Sequence, residues 1–228
     1  MKILGVIPAR SGSKGVKNKN IKKLAGEYLI NYTISQSLKS KLTDVIVSTN
    51  CEEIKNISID LGAKVPFLRP KNLALDNSSS ISVAQHALKV YSELSNTKYD
   101  ALMLLQPTCP LRTFKDINNC IELFKSNSID SVISVCNVNG LHPARMKFLD
   151  ENNLLIDPPF AELKENQPRQ ELRPMYIRNG AIYLTKTTHI INGTFKGKNS
   201  MAYIMDEEKS INIDTNFDFK LAEILLKK

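Results

Sequence analysis

The sequence predicts an α/β fold built on a mostly parallel, doubly wound sheet. Three observations carry this. Short apolar runs recur at 3–7, 44–48, 101–105 and 131–136. Segments of helical periodicity separate them, long enough to be crossovers between parallel strands. A glycine-containing, cation-rich turn follows the first run directly, where open α/β sheets place their ligands.

In chain order, residues 3–7 form a buried strand ended by Pro8. A helix over 29–40 places Ile30, Ile34, Ser37 and Leu38 on one face. Residues 44–48 read as a second strand, and 52–61 as a helix closed by Gly62. A short extended piece at 64–68 precedes Arg69-Pro70. Ile81, Ala84, Ala87, Leu88, Tyr91 and Leu94 then make a helical stripe. Residues 101–105 are a third strand, stopped by Pro107 and Pro110. Thr113 with Asp116 has the form of a helix-start box, and Ile117, Ile121 and Phe124 continue that helix's buried face. Residues 131–136 are a fourth strand. Strands at 181–184 and 201–205 and a helix over 216–226 complete the sheet.

Residues 140–175 break the pattern. Five of the ten prolines (143, 158, 159, 168, 174) lie there, and 146–149 with 154–156 read as a small hairpin. The segment is too small to bury a core of its own. We therefore expect one domain over 1–228, with 140–175 an arm inserted in it.

The composition, 42% apolar and 24% charged across 228 residues, is that of a globular chain. The longest apolar run, 101–105, is too short to cross a bilayer, and the N-terminus lacks a secretory hydrophobic region. Four cysteines without CxxC spacing and three scattered histidines argue against a zinc site or a disulfide framework and fit a reducing cytoplasm. Net charge is +8, but residues 1–25 hold Lys2, Arg10, Lys14, Lys17, Lys19, Lys22 and Lys23 and no acid. Seven of the eight surplus charges thus sit in one short stretch, which suits a compact polyanion better than a long nucleic-acid backbone. A solvated, lysine-rich loop is the plainer alternative.

The turn reads Pro8-Ala9-Arg10-Ser11-Gly12-Ser13-Lys14-Gly15-Val16-Lys17-Asn18-Lys19-Asn20. It is neither a dinucleotide fingerprint nor a Walker loop. Its small residues let backbone amides approach a ligand, and its cations add attraction of roughly 4 kcal/mol per unit pair at about 4 Å and an effective dielectric near 20.

This segment resembles the signature of the CMP-N-acylneuraminate synthetases (acylneuraminate cytidylyltransferases). Further segments agree in order: Leu68-Arg69-Pro70 to Leu75-Asp76, Gln106-Pro107-Thr108-Cys109-Pro110-Leu111-Arg112-Thr113, Gln167-Pro168-Arg169-Gln170, Arg178-Asn179-Gly180-Ala181-Ile182-Tyr183, and Asn212-Ile213-Asp214-Thr215 with Asp218. Together they span about residues 3 to 224. The resemblance implies a Rossmann-like sheet of the nucleotide-diphospho-sugar transferase type. It also implies transfer of CMP from CTP to a nine-carbon acidic keto sugar, releasing pyrophosphate.

On that resemblance, Arg10, Ser13, Lys19 and Asn20 would hold the phosphates and ribose, and Arg69, Asp76 and Ser80 would border the cytidine. Gln106, Arg145, Arg169, Asn179 and Tyr183 would line the sugar's side. Asp214 would bind Mg²⁺, and Arg10, Lys19 and Asp214 would carry the chemistry. A homodimer is implied as well, with the arm reaching toward the partner's cleft. The family's closing motif is Asp-x-Asp; here Asn212 stands first, a neutral oxygen where Mg²⁺ prefers an anionic one.

Duller roles exist for several residues. Arg69 could cap a turn, Asp76 could cap the helix beginning near Ser79, and Gln106-Pro107 could simply end a strand. Arg112 reads as a helix-start or interface charge, the cysteines as core residues, and Asp218 as a first-turn carboxylate. Rival functions are the same reaction on legionaminic or another bacterial nonulosonic acid, or on an eight-carbon keto sugar. A non-catalytic nucleotide-binding regulator and a basic nucleic-acid binder are the rivals of other classes. That the sequence stops at residue 228 leads us to expect no fused second activity.

Overall fold

The computed structural model describes residues 1–13 and 15–227. Lys14, one of the N-terminal cations, lies outside the described residues.

Strands β1 (Ile3–Pro8), β2 (Lys23–Leu24), β3 (Glu27–Tyr28), β4 (Asp44–Ser48), β5 (Ala101–Leu104), β6 (Ser131–Asn137), β7 (Phe148–Leu149), β8 (Leu155–Ile156), β9 (Tyr176–Lys186) and β10 (Ser200–Ile204) alternate with helices. These are α1 (Leu29–Leu38), α2 (Glu52–Asp60), α3 (Ser80–Leu94), α4 (Phe114–Ser126), α5 (Thr187–Ile191) and α6 (Asn216–Leu226). Six strands form the central sheet in the order β10-β6-β9-β5-β1-β4. β1 runs parallel to β4 and β5, and β10 parallel to β6. β9 is antiparallel to both its neighbours, β5 and β6. The sheet is mostly parallel, as the alternation of runs requires, with one reversed strand that the alternation did not reveal.

Both faces of the sheet are covered. Ile3, Ile7, Val45, Val47 and Met103 pack on one side with Ile30 and Ile34 of α1, Ile54 of α2 and Ile117 and Ile121 of α4. Leu4, Val6, Ile46, Leu102 and Leu104 pack on the other with Ala84, Ala87, Leu88 and Tyr91 of α3. The alternation along β1 sends successive side chains to opposite layers. A third cluster, Val16, Leu24, Leu29, Ile213, Phe219 and Ala222, fixes α6 beneath the N-terminal turn. Leu38 and Leu94, expected on buried faces, end their helices exposed.

Local signals act where expected. Gly62 (φ 88°) lets Ala63 N–H reach the Ser58 carbonyl and its own N–H the Ile59 carbonyl, closing α2. Thr113 and Asp116 cap α4 reciprocally, and Thr215 and Asp218 do the same for α6. The piece at 64–68 makes only isolated bridges, Lys64 to Ile46 and Leu68 to Thr49, rather than a strand.

The arm is present. β7 and β8 pair as the expected antiparallel hairpin, and His142 ties its root by accepting from Ala144 N–H and bonding the Arg173 carbonyl. Leu141, Phe148, Leu155 and Leu163 are among many exposed apolar side chains there, Leu163 being 97% exposed.

Candidate active site

Parallel strands end together, and the ends of β1 and β5 open into a cleft of about 490 Å³. Pro8, Arg10, Ser13, Gly15, Lys19 and Asn20 come from the first turn, and Arg69, Ser78, Ser80 and Val83 from the approach to α3 and its first turn. Gln106, Pro107 and Thr108 follow β5, and Asn212 and Asp214 precede α6.

The first turn is braced from beneath. Asn20, 7% exposed, donates to the Arg10 carbonyl at 2.9 Å. Asn50, after β4, accepts from Ser11 N–H at 3.1 Å and donates to Ser11 Oγ at 3.0 Å. Asn20 thus shapes the turn as well as lining the cleft, and Asn50 is a bracing residue that no local pattern singles out. Gly15 touches the opposite wall: a Cβ there would stand 2.1 Å from the Asp214 carbonyl oxygen.

Two cations of the turn meet carboxylates across the cleft. Arg10 donates to Asp76 Oδ1 at 2.7 Å, so Asp76 pairs with a cleft cation instead of capping α3. Ser79 provides that cap by accepting from Ser82 N–H. Lys19 Nζ donates to the Ile213 carbonyl at 2.6 Å and to Asp214 Oδ1 at 3.2 Å. Lys22 and Lys23 lie instead over the rings of Phe219 and Tyr28, so the basic cluster divides between ligand-facing and packing roles.

Arg69 supplies charge of another kind. It is 5% exposed and donates to Ser48 Oγ, the Ser48 carbonyl and the Leu73 carbonyl, all uncharged acceptors. Burial, reinforced by Arg10, brings its pKa down to about 10, so it remains a cation at neutral pH. A buried guanidinium satisfied only by neutral oxygens leaves its charge available to an anion in the cleft.

At the opposite edge, Asn212 Nδ2 donates to Asp214 Oδ2 at 2.9 Å, and the Cys109 thiol lies 3.7 Å from Asn212 Oδ1. Asp218 accepts from Asp214 N–H and from the Thr215 cap. Burial opposes charge on Asp218, but the Thr215 and Asp214 donors win and hold its pKa below the usual carboxylate value. Among the described residues, no three His, Cys, Asp or Glu side chains cluster as a metal site. Mg²⁺, however, is commonly held by one or two protein oxygens completed by water and substrate phosphates. The Asp214 carboxylate suits that mode, and Asn212 would join it on turning its amide oxygen, in place of Nδ2, toward Asp214.

The remaining sequence candidates stand elsewhere. Asn179 is buried and fully engaged: its Oδ1 accepts from Ser134 and Ala181 N–H, and its Nδ2 donates to Ser210 and Met205 Sδ. Tyr183 packs against Phe195 with the α3 core layer, and burial raises its pKa. Arg145 pairs with Glu162 and the Gln167 carbonyl within the arm, and Arg169 is an exposed residue of the arm's Arg169–Glu171 turn. None of the four lines this cleft. Ser78 and Thr108 do, and the sequence reading passed over both. The cysteines are free thiols, with 109, 120 and 136 in the core.

Residues 4–192 match the family model described as cytidylyltransferase. The chain is 37% identical to N-acylneuraminate cytidylyltransferase of Escherichia coli O18:K1:H7, covering all of this chain but 52% of that protein, so it spans about half the relative's length. It is 34% identical to CMP-N,N'-diacetyllegionaminic acid synthase of Legionella pneumophila, covering all of this chain and 97% of that one. The fold is similar to that of a CMP:2-keto-3-deoxy-manno-octonic acid synthetase complexed with CTP, with a TM-score of 0.71, 12% identity and coverage of 100% and 99%. A cation-lined cleft at the strand ends and a match across most of the sequence agree: the chain belongs to the cytidylyltransferase family.

Proposed function

We propose that the chain couples CTP to a nine-carbon acidic keto sugar of the N-acylneuraminate type, giving the CMP-sugar and pyrophosphate. The observation that carries this reading is the cleft, where Arg10, Lys19 and the buried Arg69 converge on a space bordered by Asp214. Legionaminic and other bacterial nonulosonic acids are the nearest alternative substrates, because relatives named for N-acylneuraminate, legionaminic acid and pseudaminic acid are all similar to this chain.

The anomeric hydroxyl attacks the α-phosphorus in line, and the pyrophosphate oxygen leaves on the opposite side. Such a displacement asks for positioning and charge neutralisation more than for covalent help. Arg10 and Lys19 neutralise the β- and γ-phosphates, exchanging their present carboxylate partners for phosphate oxygens. Arg69 adds a fixed positive field, and Ser13 and Ser80 offer hydroxyl donors at the same cleft. Asp214, the one carboxylate among the described cleft-lining residues, is the group to take the hydroxyl proton. Asp214 and Asn212 would hold Mg²⁺ together with the ligand's phosphates; when bound it supplies Lewis-acid stabilisation of charge on the phosphoryl oxygens.

A homodimer through the arm belongs to the same reading. Its exposed apolar side chains, Leu141, Phe148, Leu155 and Leu163 among them, suit burial against a partner, and a partner's arm accounts for Arg169 standing outside its own cleft. The free thiols suit a cytoplasmic enzyme.

The test is pyrophosphate release from CTP across a panel of N-acetylneuraminate, legionaminic, pseudaminic and eight-carbon keto sugars. Release that requires one of the nine-carbon acids supports the proposal. CTP binding without release on any sugar overturns it in favour of a regulator.

A further inference from the structure

Arg112, read from the sequence as a helix-start or interface charge, is 1% exposed and stands first among the largest fully buried side chains. Its Nη1 donates to the Gln106 carbonyl at 3.2 Å and the Ala181 carbonyl at 2.8 Å, and its Nη2 donates to Thr33 Oγ1 at 2.7 Å. All three acceptors are uncharged, and Nε has no hydrogen-bond partner among the described residues. A buried guanidinium held this way is a costly means of filling a core, where an apolar side chain of similar volume packs without desolvation. Its geometry, rather than its volume, is what the site uses.

That geometry converges on Gln106. The segment 106–112 contains two prolines, so it has few backbone donors to hold its shape. Arg112, its last residue, reaches back to the carbonyl of its first. The other Nη1 contact is to Ala181, beside Gly180. Gly180 has φ 79°, and a Cβ there would stand 2.8 Å from Gln106 Oε1, so the Gln106 side chain lies directly over this glycine. One guanidinium therefore grips the backbone at Gln106 and the strand under the Gln106 side chain. The same segment accepts from Ile213 N–H at the Thr108 carbonyl. The phosphate-side cations have other supports: Ser48 for Arg69, Asp76 for Arg10 and Asp214 for Lys19.

We propose that Arg112 is a positioning residue that fixes Gln106 against Gly180 and so sets the sugar side of the cleft; this deepens the cytidylyltransferase reading and rests on it. Lysine cannot replace it, because a single ammonium on a flexible stem does not reproduce a planar fork shared among three acceptors.

The test compares Arg112→Lys, Gln106→Ala and the double variant, using the panel sugar that the wild type turns over fastest. Arg112→Lys is expected to lower kcat/KM for the sugar by about tenfold, with the calorimetric Kd for CTP within about twofold of wild type. Gln106→Ala gives the same split, and the double variant loses no more than Gln106→Ala alone, because both changes remove one arrangement. Should Arg112→Lys fail to fold, Thr33→Val removes one acceptor from α1, away from the cleft, and gives the same pattern at smaller size. Additive losses, parallel loss of CTP affinity, or unchanged sugar kinetics would overturn the assignment. A wild-type protein that binds CTP but turns over no sugar strikes the functional reading itself, a result distinct from these.

Discussion

Lys19 Nζ stands 3.2 Å from Asp214 Oδ1 and 2.6 Å from the Ile213 carbonyl, joining the first turn to the segment before α6. The cation proposed for phosphate is thus paired with the carboxylate proposed for metal until a ligand separates them.

Asp214→Asn consequently has two effects of opposite sign. Turnover falls by about two orders of magnitude or more, the scale of losing one preorganised electrostatic group. CTP affinity without Mg²⁺ is kept or improved, because Lys19 is released. Asn212→Asp should instead shift activity to lower Mg²⁺ concentration, since a carboxylate is the better ligand. Kinetics and calorimetry across a Mg²⁺ titration check both. Wild-type turnover in Asp214→Asn removes the metal and proton assignments together.

Arg69→Met should weaken CTP binding by roughly 10- to 100-fold, the range of a charge-assisted contact. It should leave thermal stability little changed, because the lost hydrogen bonds are offset by relief of a buried charge. Calorimetry gives the first quantity and a melting curve the second. Lost stability with intact affinity would make Arg69 the mere turn-cap that its bond to the Leu73 carbonyl also permits.

Gly15→Ala places a methyl group where the Asp214 carbonyl oxygen lies, 2.1 Å away. The methyl is fixed rigidly to the turn and the oxygen is backbone, so the turn must move away from Asp214. The expected result is a higher KM for CTP and a lower kcat in a folded protein; unchanged kinetics would show that the two walls need not touch.

Asp44, at the sheet end away from the cleft, accepts from Lys64 at 2.7 Å, Tyr99 at 2.7 Å and Tyr91 at 3.3 Å. Burial pushes its pKa up, but these donors outweigh burial and hold it below the usual value. Its stabilising contribution is complete above the unfolded carboxylate value of about 4 and is lost as pH falls through the folded value. Asp44→Asn should therefore be less stable than wild type near neutrality, with the difference closing in acid. Urea midpoints at several pH values measure this, and a gap that stays constant with pH would contradict it.

Most of the sheet was legible because each strand is a short apolar run and each helix buries a regular stripe. The direction of β9 was not, since side chains alternate with period two in parallel and antiparallel strands alike. The first turn was legible through its glycines and cations. Asn179 and Tyr183 lie within three residues of Gly180 in sequence, yet their surroundings come from β6, the segment after β10 and the α3 layer, which no local pattern encodes. Arg112 was misread because arginine is rarely buried; its three acceptors lie 6, 69 and 79 residues away in the chain.

The central claim is cytidylyl transfer, and ³¹P NMR of the protein with CTP, Mg²⁺ and a nine-carbon acidic keto sugar tests it most directly. The account predicts a new phosphodiester resonance and pyrophosphate growing in equal amounts as the CTP signals fall, only when the sugar is present. CTP signals that persist with every sugar, or that decay equally without one, would contradict it.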